Sequence, residues 1–261
     1  MTQIRKCCTV LLSVVILLAI GAGAYLALSL HSHAGALWRI ISQQCIVNQQ
    51  AHHNPAPCQL VDLNKGFVVM KDRHGPLQFL LLPAARIHGI ESPQLLTAST
   101  NYFAEAWHAR HYAQALYGRP LADRIFSLAV NSPWSRSQNQ LHIHISCLQP
   151  EVRRRLDELT PRLSSRWQKE KLNQYEWLIR TVSRDEFNHK SPFLYLSEEV
   201  PGARQAMGHY GIAVAALNDG RWAMMVIERN LLTLNRASAE DIQDHRCALA
   251  YGNTHVPTVQ E

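Results

Sequence analysis

Short hydrophobic stretches bounded by polar and turn residues predict four strand regions in this chain. In two of them turn residues interrupt the hydrophobic stretch, at 72–75 and at 218–220, so each predicts a β-hairpin. The Asn-Asp-Gly sequence at 218–220 is the stronger of the two turn signals. The predicted strand regions are 66–82, 124–130, 140–148 and 210–228.

Hydrophobic residues that recur every three or four positions predict helices between these strands. The segment 161–200 has no clean period and gives no prediction. Hairpins with helices between them, and no long series of parallel-strand units, predict an α+β fold with an antiparallel sheet. The predicted helices are 34–50, 99–117, a helix opened by Pro150, and a helix from Ser238 to about Gly252.

The N-terminal part of the chain has a different pattern, because residues 7–30 contain no Asp, Glu, Lys, Arg or His. A run of that length can span a bilayer as a helix. Arg5 and Lys6 precede it, which favours a cytoplasmic N-terminus and an exported body. We therefore expect a membrane anchor over residues 1–33; a cleaved signal peptide is the alternative, although its apolar core would be unusually long.

Composition supports this division of the chain. It has 261 residues, of which 47% are hydrophobic and 18% charged, and its mean hydropathy is −0.16. These values exclude general disorder and a polytopic membrane protein. We expect one soluble domain over 34–252 and a frayed tail over 253–261.

Six cysteines add information about the compartment, and four of them lie in the body. An even number in an exported domain predicts two disulfides, for which three connectivities exist. Cys45 and Cys58 form the local pair, which leaves Cys147 with Cys247. Four reduced thiols in a cytosolic protein are the alternative.

The stretch 139–147 is the most informative for chemistry. Its strict alternation places Gln140, His142, His144 and Ser146 on one face of a strand. Two imidazoles two residues apart lie about 7 Å apart at the backbone, so both can reach one phosphate. One can then attack phosphorus while the other donates a hydrogen bond.

Three interpretations of this face compete. It is a solvent-facing polar stripe, half of a metal site, or the centre of phosphoryl chemistry with a histidine nucleophile. A metal site needs a third ligand, and the chain has no companion His-x-x-x-His or clustered carboxylates. The sequence thus names no metal ligand and implies no cofactor.

The strand and the polar loop before it resemble the histidine-triad superfamily signature. Aligned in this way, Gln140 takes the place of the first histidine, His142 that of the nucleophile and His144 that of the last histidine. The resemblance implies an antiparallel sheet with flanking helices and a nucleotidyl-histidine intermediate on His142. It also makes Asn131 and Asn139 candidates for polar contacts to the substrate, with Ser146 as a further candidate.

A wider resemblance covers about residues 1–250 and is to the bacterial CDP-diacylglycerol pyrophosphatases. It rests on the apolar segment and on the stretches 75–78, 137–147, 164–167 and 230–240. It implies hydrolysis of CDP-diacylglycerol to CMP and phosphatidate by an enzyme anchored in the bacterial inner membrane, with its catalytic domain in the periplasm. Arg236, in the last stretch, is a candidate phosphate contact.

The resemblance implies a lipid substrate and a membrane surface as partners, no nucleic acid, and no particular oligomeric state. The net charge of +6 is compatible with an anionic interface. Three alternatives remain at this point. The chain is a membrane-tethered binding module that lost activity when position 140 became Gln, a hydrolase of other nucleotide pyrophosphates, or a metal-dependent hydrolase.

Overall fold

The computed structural model describes Ile16, Leu18, Gly21 and residues 34–252, and within them ten strands form one sheet. Every strand pair in the sheet is antiparallel. The strands are β1 (Leu60–Asp62), β2 (Phe67–Lys71), β3 (Phe79–Pro83), β4 (Phe126–Val130), β5 (Ile143–Leu148), β6 (Gln168–Leu172), β7 (Tyr175–Val182), β8 (Tyr210–Ala216), β9 (Trp222–Glu228) and β10 (Gln243–Asp244).

The order of strands across the sheet is β1-β2-β3-β5-β4-β8-β9-β7-β6, and β10 pairs with β5. Strand β5 therefore lies inside the sheet, between β3 and β4. Residues 143–147 of the stretch 139–147 thus lie in an interior strand rather than at an edge of the sheet.

Helices cover both faces of the sheet. The first two are joined through a π-helical turn at Ile41–Cys45 and form one continuous rod. The helices are α1 (Ala36–Ile40), α2 (Ile46–His52), α3 (Tyr102–Ala109), α4 (His111–Tyr117), α5 (Pro150–Leu159), α6 (Arg184–His189), α7 (Pro192–Glu199) and α8 (Ala248–Tyr251).

One face of the sheet carries a large apolar core beneath α3, α6 and α7, in which Phe103, Phe187 and Phe193 belong to the same buried cluster as Ile143 and Ile145. The other face carries two separate clusters. The first lies under α1 and α2 and contains Ile41 and Leu80, and the second lies under α5 and contains Leu156 and Ala129.

The candidate site lies in the gap between these two clusters. His144 pairs in register with Leu80 of β3 on one side and with Ala129 of β4 on the other. Because alternate side chains of a strand point to opposite faces, and Ile143 and Ile145 face the large core, His144 faces the gap.

Most of the predicted elements are confirmed. Both hairpins form, and 34–50 is helical. The helix predicted at 99–117 is present but is divided at Arg110, with Asn101 as its N-cap and Gly118 at its C-terminus. The α+β class with an antiparallel sheet is thus confirmed.

The start of one predicted strand and one predicted helix are wrong. Strand β5 begins at Ile143 rather than at Gln140, because the side chain of Gln140 bonds the carbonyl oxygens of Pro83 and Ala85 and the chain bends there. No continuous helix runs from Ser238 to Gly252. Instead, main-chain pairing with β5 makes Gln243–Asp244 a strand, β10. A 3-10 turn precedes this strand and α8 follows it.

The unpredicted segment 161–200 forms a hairpin and two helices, β6, β7, α6 and α7. Its helix α6 begins with a capping box, in which Ser183 accepts from the Glu186 N–H and Glu186 accepts from the Ser183 N–H. This signal was readable in the sequence.

Two disulfides form, Cys45–Cys58 and Cys147–Cys247, so the predicted connectivity is confirmed. The second joins β5 to the residue before α8. It holds the C-terminal segment beside the strand that carries His144.

The anchor predicted over 1–33 and the tail over 253–261 fall outside the described residues, apart from Ile16, Leu18 and Gly21. Within the part of the chain that is described, no helix has the length and apolar character needed to cross a bilayer.

Candidate active site

A cavity of about 780 Å³ opens in the gap between the two clusters. Its polar wall consists of His142, His144, Asp72, Asn131 and Glu240. Its apolar wall consists of Leu37, Ile40, Met70 and Leu80. The cavity is large enough for a drug-sized ligand and combines an apolar surface with a few convergent polar groups, as ligand sites commonly do.

His142 lies just before β5 and is 8% exposed. Its Nδ1 is 2.7 Å from the main-chain oxygen of Gln140. A carbonyl oxygen only accepts, so Nδ1 must carry the proton and donate it. The lone pair of the neutral ring is therefore on Nε2, the nitrogen that a nucleophile uses.

His144 is 6% exposed, and its ring centroid lies 4.8 Å from that of His142. Its Nδ1 is 3.2 Å from Gln78 Nε2 and 3.3 Å from Glu240 Oε1. With the proton on Nε2, Nδ1 accepts from Gln78; with the proton on Nδ1, the ring lies within ion-pair distance of the Glu240 carboxylate, whose charge favours a proton there. Both tautomers have a partner, so the ring can exchange a proton at Nε2, which is buried and has no protein partner among the described residues.

Glu240 lies beside His144 in the polar wall and comes from the 3-10 turn Ala239–Ile242. Asn131 holds it at two points: Asn131 Nδ2 donates to Glu240 Oε2 over 2.9 Å, and the Glu240 N–H donates to Asn131 Oδ1 over 3.0 Å. His245 Nε2 lies 3.2 Å from Glu240 Oε1. The carboxylate is thus fixed in one orientation toward His144.

The turn of the first hairpin supplies Asp72 to the polar wall. Gln78 Nε2 donates to Asp72 Oδ2 over 2.9 Å. A side chain on Gly75 would place its Cβ 2.3 Å from the His245 carbonyl oxygen, and the φ of Gly75 is +68°. Glycine at this position therefore allows the turn to approach the segment that carries Glu240 and His245.

The side chains of the polar wall have shifted pKa values, which determine their charges at neutral pH. Burial, with the neighbouring His144, lowers the pKa of His142 to about 4. Burial also lowers the pKa of His144, against the attraction of Glu240. Burial acts to raise the pKa of Glu240, but bonds from His245 and Asn131 and the nearby His144 outweigh it and bring this pKa to about 2. At neutral pH both histidines are thus neutral and Glu240 is ionised.

Three cations also line the cavity: Lys71, Arg73 and Arg136. Arg136 is bound by both oxygens of Glu91 at 2.6 Å. Lys71 Nζ donates to the carbonyl oxygens of Asp72 and Gly75, and burial lowers its pKa. Arg73 is exposed at the rim. Lys71 and Arg73 are thus the cations available to an anionic ligand.

The structure brings together four of the residues that the sequence singled out, since His142, His144, Asn131 and Asn139 all line the cavity. Asn139 accepts from the guanidinium of Arg136.

The other three residues that the sequence singled out lie outside the cavity. The buried Gln140 side chain holds Pro83 and Ala85, Ser146 is buried further along β5, and Arg236 is exposed; none of the three lines the cavity.

Sequence reasoning missed Glu240, Asp72, Gln78 and His245 as members of the site. Gln78 and Glu240 lie in stretches that carry the family resemblance, and this was the one available signal. The described residues contain no group of three or more His, Cys, Asp and Glu side chains arranged to hold a metal ion.

Residues 32–251 match the family described as CDP-diacylglycerol pyrophosphatase, which covers most of the 261-residue chain and includes every residue of the two walls. The family is one of hydrolases that act on the anhydride of CDP-diacylglycerol. The chain, with two neutral histidines and a fixed carboxylate around one cavity, therefore belongs to the CDP-diacylglycerol pyrophosphatase family.

Proposed function

We propose that the protein cleaves CDP-diacylglycerol through a nucleotidyl-histidine intermediate on His142, in the manner of the histidine-triad superfamily. The observation that carries the proposal is the bond from His142 Nδ1 to the Gln140 oxygen, since it leaves the Nε2 lone pair free. The low pKa of His142, about 4, keeps that lone pair unprotonated at neutral pH.

In the first step, Nε2 of His142 attacks the phosphorus of the cytidylyl group. A P–N bond forms while the bridging P–O bond breaks, and phosphatidate leaves with the bonding electron pair. The imidazolium formed on His142 keeps its Nδ1 proton, and the Gln140 carbonyl stabilises this charge.

His144 assists at the phosphoryl group. In the tautomer with the proton on Nε2, in which Nδ1 accepts from Gln78, the ring donates its Nε2–H to a phosphate oxygen. In the second step, water attacks the phosphorus, the P–N bond breaks, and its electron pair returns to Nε2. His144, now in the tautomer with its proton on Nδ1, accepts the water proton at Nε2, and Glu240, 3.3 Å from Nδ1, stabilises the imidazolium that forms. This proton then passes to solvent, and CMP is released.

Gln140 serves as a positioning residue in this scheme. Its side chain holds the chain bend through Pro83 and Ala85, and its main-chain oxygen orients His142. A histidine at this position is thus not required for a proton transfer, and Gln140 does not argue for a binding module without activity.

Lys71 and Arg73 are the proposed pyrophosphate contacts, and the apolar wall is the proposed contact for the diacylglycerol moiety. The anchor over 1–33 is proposed to hold this hydrolase domain, residues 34–252, at the periplasmic face of the bacterial inner membrane. The charge pattern around residues 7–30 and the two disulfides support that location, because disulfides persist in oxidising compartments.

The test is hydrolysis of CDP-diacylglycerol by the full chain in water enriched in ¹⁸O, with and without a chelator. We expect the label in CMP, none in phosphatidate, and a rate that the chelator does not change. Label in phosphatidate would place the attack on the lipid phosphorus. Binding without turnover would indicate a binding module, and a chelator-sensitive rate a metal-dependent hydrolase; each result would contradict the proposal.

A further inference from the structure

The loop after β9, residues 230–235, exposes three leucines and is here called the leucine loop. Leu231 is 67% exposed, Leu232 96% and Leu234 83%. They lie within four consecutive residues of one loop, with Thr233 between the second and the third. Isolated exposed leucines are common on soluble proteins, but a contiguous apolar patch marks a surface that contacts protein or membrane.

Hydrogen bonds hold the leucine loop in a defined shape. Asn230 and Asn235 exchange main-chain bonds of 2.9 Å in both directions. The Leu232 N–H donates to Asn230 Oδ1, and the Leu234 N–H donates to the Leu231 oxygen. These polar groups are satisfied within the loop, which lowers the cost of moving its tip into an apolar medium.

The backbone is also constrained at the end and at the base of the leucine loop. Leu234 adopts φ +55°, a left-handed conformation that glycine or asparagine takes at lower cost. At the base of the loop, a Cβ on Gly211 would come within 2.5 Å of the Ala237 oxygen, so the chain lies close against β8. The base of the leucine loop therefore lies against the sheet, while its three leucines are exposed.

The surroundings of the leucine loop indicate a lipid interface. The Arg229 guanidinium lies 4.0 Å from the ring of Trp134, which is 55% exposed. Arg236, at the other end of the loop, is exposed. Tryptophan and arginine around an apolar tip are typical of proteins that enter the headgroup region of a bilayer, where arginine contacts anionic lipids.

The leucine loop is linked to the mouth of the cavity through the loop 131–139. The Ser132 N–H donates to the Ala237 oxygen over 3.2 Å, and Ser132 Oγ donates to the Arg236 oxygen. At the other end of 131–139, the Asn139 N–H donates to the Ala34 oxygen over 2.6 Å. Ala34 follows the apolar run 7–30, so the leucine loop, the cavity rim and the start of the body adjoin one connecting loop.

We propose that the leucine loop inserts into the interfacial layer of an anionic bilayer and turns the mouth of the cavity toward the membrane. It acts as a second membrane contact, separate from the N-terminal segment. The proposal does not depend on the chemistry proposed for His142.

The direct test measures the environment of Leu232 in the full chain reconstituted in vesicles of phosphatidylcholine and phosphatidylglycerol. In a Cys7→Ser/Cys8→Ser background, Leu232→Cys carries an environment-sensitive fluorophore. The matched control is Leu116→Cys, because Leu116 is 57% exposed at the C-terminal end of α4. We expect a blue shift and quenching by nitroxide lipids at position 232 only.

Equal quenching by an aqueous quencher at positions 232 and 116 would overturn the proposal. Protection of position 232 that forms in detergent without a bilayer and grows with protein concentration would also overturn it, and would identify a second copy of the chain as the occupant.

A second variant tests the consequence for turnover. Leu231→Ser/Leu232→Ser/Leu234→Ser should lower hydrolysis of CDP-diacylglycerol embedded in vesicles by about tenfold, and leave hydrolysis in detergent micelles unchanged. An equal loss in both assays would contradict the proposal. A wild-type chain that hydrolyses the lipid in neither assay would refute the proposed function, while the fluorescence result would still decide the role of the loop.

Discussion

The two walls of the cavity differ in how they are built. The polar wall is held by directed bonds: Gln140 fixes His142, and Asn131 fixes Glu240 beside His144. The apolar wall is held by packing, where Leu80 belongs to the cluster under α1 and α2. Directed bonds fix angles to which a reaction is sensitive, whereas packed side chains adjust to the ligand they contact. The polar wall is therefore suited to chemistry and the apolar wall to substrate binding.

The largest effect should come from His142 on the polar wall. His142→Asn removes the proposed nucleophile and should lower kcat by at least about 10⁴-fold. CMP release from CDP-diacylglycerol in detergent micelles measures this. His189→Asn changes an exposed histidine of α6 and is the matched control, expected to retain wild-type kcat. A His142→Asn variant with kcat within tenfold of wild type would remove His142 from the mechanism.

The second-largest effect should come from His144, which is proposed to donate to the phosphate and to form no covalent bond. His144→Asn should lower kcat by about 10²–10³-fold. Glu240→Gln should reduce kcat less, since it acts through His144. The same assay, with KM determined separately, ranks the three variants. A larger loss for Glu240→Gln than for His144→Asn would make the carboxylate itself the reacting group.

The polar wall should also make the free energy of unfolding depend on pH. The pKa of His142 is about 4 in the folded protein and near 6.5 when unfolded, so below pH 6.5 the unfolded chain takes up a proton that the folded one does not. The free energy of unfolding should thus fall by up to about 3 kcal/mol between pH 6.5 and pH 4. His245 has the opposite effect on stability. Its bond to Glu240 raises its pKa, so the stability that the protonated ring contributes is lost as pH rises.

Denaturant unfolding followed by tryptophan fluorescence measures this dependence on the full chain in detergent. His142→Asn should lose less stability over this pH range than wild type does. Identical pH profiles for the two proteins would show that His142 has an ordinary pKa in the folded state.

The smallest effect should come from the apolar wall. Ile40→Ala should raise KM for the long-chain substrate by about tenfold and leave kcat unchanged, because it removes apolar contact without moving either histidine. Val47→Ala, on α2 and 48% exposed, is the matched control. A loss in kcat for Ile40→Ala without a change in KM would show that both walls serve the chemistry.

The sequence predicted the elements of the polar wall better than its connections. Local alternation identified His142 and His144, and family resemblance assigned their roles. Glu240 was missed, because it reaches His144 through pairing of β10 with β5 and through its bonds to Asn131, which is distant in the chain. The predicted helix over 238–252 failed for the same reason, since its local cap signal was outweighed by pairing with a strand nearly one hundred residues earlier.

The apolar wall shows the opposite limit. The helical period of 34–50 was visible in the sequence, and Ile41 and Cys45 of this segment are buried. No local pattern indicated that the neighbouring Leu37 and Ile40 face a cavity formed with Met70 and Leu80, because this depends on how the helix lies across the sheet.

The measurement that tests the central claim most directly is capture of the covalent intermediate. The full chain is mixed with excess CDP-diacylglycerol carrying radioactive phosphorus in the cytidylyl group, quenched in alkali within one turnover, and digested for mass spectrometry. The mechanism predicts a cytidylyl group on His142, its absence in His142→Asn, and its accumulation in a variant in which water attack is slowed. Turnover with no labelled protein at any quench time, or label on another residue, would contradict it.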